Sequence, residues 1–226
     1  MTLRSFDPIW EEKYASGHSQ KYPWDMVVTF VYRNRPQHKP PQETHILEVG
    51  CGTASNLWFA AREGFKVAGI DASVSAIAEA RRRFQKDGLQ GQLEVGDFTS
   101  LPFNNDTFDL VIDRASLTCC GFSSAKKSVS EIRRVLKTGG RFFFNPYSSN
   151  HSSFASGYPG DDGLTIGIDA GTLVGAGQIC FYDRREIYNL FADGWKILSI
   201  QHAELSEEKD PSRSIHADWR VIAEKV

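Results

Sequence analysis

What this chain does not contain narrows its class first. No apolar run approaches the roughly 20 residues that cross a bilayer as a helix, and the stretch MTLRSFDPIWEEKY has no apolar core of the secretory-signal kind. An excess of charge is missing too. With 26 basic residues against 28 acidic, the formal charge is −2, so no broad basic footprint marks a nucleic acid or an anionic membrane as partner. The four cysteines (Cys51, Cys119, Cys120, Cys180) show no paired metal spacing, and the six histidines form no i, i+4 pair, so the expected metal content is none. Scattered thiols of this kind fit a reduced, cytoplasmic protein. No internal repeat is visible, and the only biased tract is one Gly/Ser-rich loop.

What is present is an alternation of strands and helices along 226 residues, enough for one sizeable domain over 1–226. Apolar Ile46–Val49 leads into the glycines Gly50 and Gly52, then into a helix over Ala54–Glu63 stopped by Gly64. A strand over Lys66–Ile70 ends at Asp71, and Ser73 can cap the next helix, in which Val74, Ile77 and Phe84 recur at helical spacing. Further strands are expected at Gln92–Val95, Phe108–Ile112 and Arg141–Asn145. A helix over Ala125–Leu136 precedes the last of these, separated from it by Thr138-Gly139-Gly140. Asp183 and Glu186 form a capping box for one more helix. The order predicts an α/β protein with a doubly wound, mostly parallel sheet and helices on both faces. The polar stretch between the strands near Trp195–Gln201 and Asp218–Lys225 is too short for a crossover helix, so that pair is expected to be antiparallel. Two segments stand outside the pattern: an aromatic-rich N-terminal cap over 1–41 and a Gly/Ser-dense insertion over 147–182, both expected near the edge where ligands bind.

The chemistry gathers at the strand ends. Gly50 and Gly52 let the backbone approach a ligand with no Cβ in the way, and the helix after them offers free N–H groups. A dinucleotide fingerprint would place a third glycine at Ser55 and no acid at Glu48, so this loop departs from the nicotinamide pattern. Asp71, about 20 residues past the loop, suits both hydroxyls of a ribose, with a helix cap as its bland alternative. Asp97 and Phe98 offer a carboxylate for an exocyclic amine and a ring for an adenine face; a turn aspartate is the alternative. Asp113, ending the fourth strand, can meet an ammonium group or a substrate proton.

Taken in order, ILEVGCGTA, GIDAS, VGDFTSLPF, FDLVID and LKTGGRFFF resemble the class I, seven-stranded, Rossmann-like S-adenosylmethionine-dependent methyltransferases of the small-molecule type, from about Thr44 to Lys225. The resemblance implies S-adenosyl-L-methionine as cofactor. It places Glu48, Gly50 and Gly52 at the methionine end with Cys51 beside them, Asp71 and Ala72 at the ribose, Asp97 and Phe98 at the adenine, and Asp113 beside the methionine moiety or the acceptor. Where family members often carry a third glycine, this chain has Ala54. The run IWEEKYASG followed by KYPW is similar to a cap of the small-molecule members, which makes Trp10, Tyr14, Tyr22 and Trp24 candidates for the acceptor pocket, with ordinary core packing as the alternative.

Methyl transfer needs a base only for a poorly acidic hydroxyl or a protonated amine. The candidates are Asp113, Tyr147, His18 and His151, though for the last an exposed loop histidine with no role is the favoured reading. Arg114 is a candidate for an anionic acceptor, or else a surface ion-pair partner. No Asn/Asp-Pro-Pro-Tyr-like motif follows the fourth strand, where the chain reads DRAS. The expected reaction is therefore methyl transfer to a small polar molecule, such as a sugar or another biosynthetic intermediate, with no nucleic acid and no membrane as partner and a homodimer as an open assembly. A cofactor-binding protein without turnover and a nicotinamide-dependent oxidoreductase are the alternatives.

Overall fold

A computed structural model describes residues 5–209 and 214–226; 1–4 of the N-terminal cap and 210–213 of the polar connection lie outside the described residues. Seven strands form the main sheet: β1 (His45–Val49), β2 (Lys66–Asp71), β3 (Gln92–Val95), β4 (Phe108–Arg114), β5 (Leu136–Asn145), β9 (Trp195–Ser206) and β10 (Ile215–Lys225). Their order is β3-β2-β1-β4-β5-β10-β9. The first five run parallel. β10 enters between β5 and β9 and pairs antiparallel with both. The short connection before β10 forces that direction, as the sequence implied. The strand order reverses between β1 and β4, and ligands of open α/β sheets bind outside the carboxyl ends of the strands at such a point.

The two faces are covered because successive side chains on a strand point opposite ways. In β5, Phe142 and Phe144 face α5 (Phe122–Val135) and α7 (Arg184–Leu190), through Ile132, Ile187 and Phe191. Phe143 faces the other way and stacks on Phe30 of α2 (Asp25–Asn34), ring centroids 5.3 Å apart. That second face is completed by α3 (Ser55–Arg62) and α4 (Val74–Lys86), through Leu57, Ile77 and Phe84. Burying each phenylalanine contributes about 1.5–3 kcal/mol. Asp183 and Glu186 form the capping box of α7 that their spacing predicts.

Two boundaries differ from expectation. Helix α5 starts one turn earlier, at Phe122, and β5 already begins at Leu136. Thr138-Gly139-Gly140 is therefore not a stop between two elements. It lies inside β5, at the irregularity in its pairing with β4, with Gly139 at φ +75°.

The segment before β1 splits into two parts with different work. Helix α2 is core: Val27, Phe30 and Val31 are buried. Helix α1 (Ile9–Ala15) buries none of its residues and lies against α4 near the carboxyl ends of the strands. The insertion folds into α6 (Ser152–Ser156) and a small antiparallel sheet of β6 (Tyr158–Pro159), β7 (Leu164–Ile166) and β8 (Ile179–Cys180).

Candidate active site

The loop between β1 and α3 carries three consecutive left-handed positions at alternate residues: Gly50 at φ +62°, Gly52 at +52° and Ala54 at +58°. At the third position the chain holds a buried alanine in the same conformation, as N-cap of α3. Gly50 is required for a further reason: a Cβ would sit 2.1 Å from Ser116 Cβ. Gly50→Ala is expected to cost about 2–5 kcal/mol, from left-handed strain plus overpacking. Urea unfolding measures it, and an unchanged midpoint would show that Ser116 simply moves aside.

Asp71 ties this loop to β2. Its Oδ2 accepts the Gly52 N–H (2.8 Å) and its Oδ1 the Ser73 N–H (2.9 Å). Burial raises its pKa, and the two amides pull it back. Glu48 is deeper. Its Oε1 accepts from Asn56 Nδ2 (2.6 Å), Asn56 Oδ1 accepts the Trp24 N–H (2.9 Å), and its Oε2 is buried with no partner. Burial pushes the Glu48 carboxyl up to about 8, and nearby Asp113 and Asp71 add to the shift.

Two adjoining cavities open over these groups. The narrower, about 120 Å³, has Asp71, Ala72 and Phe98 on its wall together with Ser5 and Phe6. The wider, about 390 Å³, is reached by Glu48, Cys51, Asn56, Trp24, Tyr147 and His216. Trp10, Tyr14, Gly50, Arg114 and Cys119 belong to both.

The N-terminal segment closes the top. Ser5 Oγ donates to Asp97 Oδ2, while Asp97 Oδ1 takes the Thr99 N–H. Glu11 accepts from the Ser73 and Ser75 hydroxyls, 2.5 Å each, and Asp7 Oδ2 accepts the Gln178 N–H (3.0 Å). Rings of Trp10, Tyr14 and His18 lie 5.4–6.1 Å apart, and burial raises the Tyr14 phenol. The strap therefore touches three separate parts of the crevice rim.

The structure brings together Glu48, Gly50, Cys51, Gly52, Asp71, Ala72, Phe98, Trp10, Tyr14, Trp24, Arg114 and Tyr147 around the cavities. Four expected site residues lie elsewhere. Tyr22 is 62% exposed, with Lys21 Nζ 5.2 Å from its ring, because the chain turns outward before Trp24. Asp97 is off the cavity wall, its carboxylate taken by Ser5 and Thr99. Asp113 is fully buried and folds back on its own loop: Oδ1 accepts from Ser116 and Leu117, and Oδ2 has no partner. His151 is not an exposed loop residue but 1% exposed, capping α6 through Nδ1, which accepts the Ser153 N–H (3.0 Å). Its Nε2 contacts Thr172 Oγ1 (3.0 Å) and His216 Nδ1 (3.3 Å), so it stands behind His216, which does reach the cavity. His18 lines the wider cavity as well.

Sequence reasoning missed Asn56, His216 and Ser116. Asn56 had a usable signal, a polar residue in the first turn after the glycine loop. His216 and Ser116 had none, since their neighbours in space are 65 and 67 residues away.

A nucleoside-sulfonium cofactor fits these residues: glycines that admit close approach, a carboxylate at the end of β2, a ring at Phe98 and an unpartnered buried carboxyl oxygen suited to an ammonium group. Residues 46–140 match the family model described as a methyltransferase domain. The demethylmenaquinone methyltransferase of Symbiobacterium thermophilum is 35% identical over 115 residues, 49% of this chain and 45% of that protein. The sarcosine/dimethylglycine N-methyltransferase of Aphanothece halophytica is 32% identical over 107 residues, 46% of this chain and 38% of its own length. Among solved structures, a SAM-dependent methyltransferase from Methanosarcina mazei superposes with a TM-score of 0.71 at 21% identity, covering 87% of this chain and 97% of that one. The fold is that of the class I S-adenosylmethionine-dependent methyltransferases, and residues 46–140 are similar to a methyltransferase domain. The matched stretch spans less than half the length of these curated relatives.

Proposed function

We propose that this protein transfers a methyl group from S-adenosylmethionine to a small polar molecule held in the wider cavity. The observation that carries this reading is the joined pair of cavities: one lined by Asp71, Ala72 and Phe98, the other by Trp24, Tyr147 and His216, with Trp10, Tyr14, Gly50 and Arg114 on the wall of both. The cofactor, when bound, supplies an activated methyl on a sulfonium for in-line displacement. The chain's own residues bind and orient. Asp71 and the glycine loop hold the nucleoside end, and Glu48, steadied by Asn56, receives the ammonium. Trp10 and Tyr14 exclude water from the junction, where aromatic faces favour a cation by about 0.5–2 kcal/mol. Alignment of two reactants in such a closed junction is worth up to about 7–11 kcal/mol. His216 and His18 are the imidazoles that line the acceptor space among the described residues. The His216 Nδ1 lies 3.2 Å from Thr172 Oγ1 and 3.3 Å from His151 Nε2, the nitrogen that carries the His151 proton because Nδ1 accepts from Ser153, so these two neighbours fix the orientation of the His216 ring.

Thermal shift with S-adenosylmethionine, S-adenosylhomocysteine and NAD tests the cofactor. At 100 times its dissociation constant, an adenosyl ligand should stabilise the protein by about 2.7 kcal/mol. Stabilisation by NAD alone would overturn the reading. Adenosyl binding without S-adenosylhomocysteine production across a panel of metabolites would leave a binding protein and not an enzyme.

A further inference from the structure

Arg114 ends β4, the strand at the centre of the sheet, and its side chain enters the wider cavity. Its Cζ lies 4.0 Å from the centroid of the Trp24 ring, and its Nε is buried without a partner. Among the described residues no carboxylate forms an ion pair with it. Taking a guanidinium partly out of water with no counter-ion is costly, and stacking on one indole face returns only about 0.5–2 kcal/mol. The fork of N–H groups is also shaped for a planar two-oxygen acceptor. The wall adds a second cation, Lys13, whose Nζ lies 4.9 Å over the Trp10 ring. A chain of net charge −2 thus gathers positive charge without an ion-pair partner at one cavity, where Glu48 is the carboxyl group on the wall among the described residues and burial raises its pKa.

The cofactor's own carboxylate has another place to go. Helix α3 starts without a side-chain cap, leaving its first N–H groups open beside Glu48 and Asn56. The Arg114 charge is felt by Tyr147 and His216, and also by Glu48.

We propose that the methyl acceptor is an aromatic carboxylate, its carboxylate on Arg114 and its ring among Trp10, Trp24 and Tyr147. The proposal rests on the methyltransferase reading of the same site. The carboxylate is the anchor, so the methylated atom lies elsewhere on the ring.

The test titrates benzoate and its neutral isostere benzamide by calorimetry, on the free protein and on protein saturated with S-adenosylhomocysteine. Benzoate is expected to bind at least tenfold more tightly than benzamide in both states. Arg114→Gln should bring that ratio close to one while changing the affinity for S-adenosylhomocysteine less than threefold. Arg114→Lys should keep part of the preference, since it retains charge and loses the fork. Equal binding of the two probes, or no binding of benzoate, overturns the proposal. A tenfold or greater loss of S-adenosylhomocysteine affinity in Arg114→Gln also overturns it, by giving the guanidinium to the cofactor. If S-adenosylhomocysteine fails to bind the unaltered protein, the methyltransferase reading falls, while the benzoate titration of the free protein still decides the anion site. Urea midpoints of both variants verify that each is folded.

Discussion

Replacing Asp71 by alanine is expected to lower the affinity for S-adenosylhomocysteine at least 100-fold and to destabilise the protein by about 2–4 kcal/mol. From its place at a strand end, Asp71 reads as a rim residue whose loss would spare the fold. The structure makes it a tie. Its two oxygens hold the Gly52 and Ser73 amides, and it is only 7% exposed. Each buried N–H left without an acceptor costs about 1–3 kcal/mol. The same substitution removes the carboxylate available to ribose hydroxyls and loosens the glycine loop that must lie under the ligand. Asp71→Asn is not a neutral control, because its amide NH2 would face one of two N–H donors. Calorimetry and urea unfolding separate the two losses, and an affinity within threefold of the unaltered protein would refute both roles for Asp71.

The second large effect is a pH dependence carried by Glu48. In the free protein its carboxyl is pushed from 4.5 up to about 8, chiefly by burial. The folded state therefore binds one more proton than the unfolded chain between those values. Glu48 lowers stability as pH rises through that window, and the full cost is reached above about 8. A cofactor ammonium placed against the unpartnered Oε2 reverses the preference and drives the proton off. Affinity for S-adenosylhomocysteine should then rise between pH 6 and 8 by up to about tenfold per unit, about 1.4 kcal/mol. Binding at pH 7 should release close to one proton, seen as a dependence of the calorimetric heat on buffer ionisation enthalpy. Glu48→Gln should flatten the slope, reduce affinity at pH 8, and relieve the free protein of its loss of stability toward pH 8. A wild-type affinity that does not change between pH 6 and 8 would show that Glu48 does not meet the ammonium.

Much of this site was legible because its residues sit at strand ends. In a parallel sheet the carboxyl ends of β1 and β2 share one edge, so Glu48, the glycines and Asp71 converge whatever covers them. Glycines at 50 and 52 announce left-handed backbone, and Phe98 follows β3 into the crevice by the same rule. Asp97 and Asp113 obeyed the rule for position but not for direction. A carboxylate at a strand end turns toward the nearest unpaired donors. For Asp113 these were the amides of its own loop. For Asp97 they were Thr99 and the strap residue Ser5, 92 positions away.

The cap and the insertion were legible as segments and not as surfaces. Both interrupt the strand–helix alternation, which marks them, but neither has a period that orients its side chains. Trp24 and Tyr22 are two residues apart and equally aromatic. One is held by Asn56 and covered by Arg114, the other points to solvent. His151 and His216 likewise carry no sequence relation, yet they meet across 65 residues.

By itself the sequence determined the sheet, the direction of its last strand and the class of cofactor, because apolar period, glycine placement and connection length are local properties with few solutions. Only the tertiary structure decided which polar groups are left unpartnered. Glu48 Oε2 and Arg114 Nε are unsatisfied because of what packs around them, and it is those unmet groups that bear on what binds.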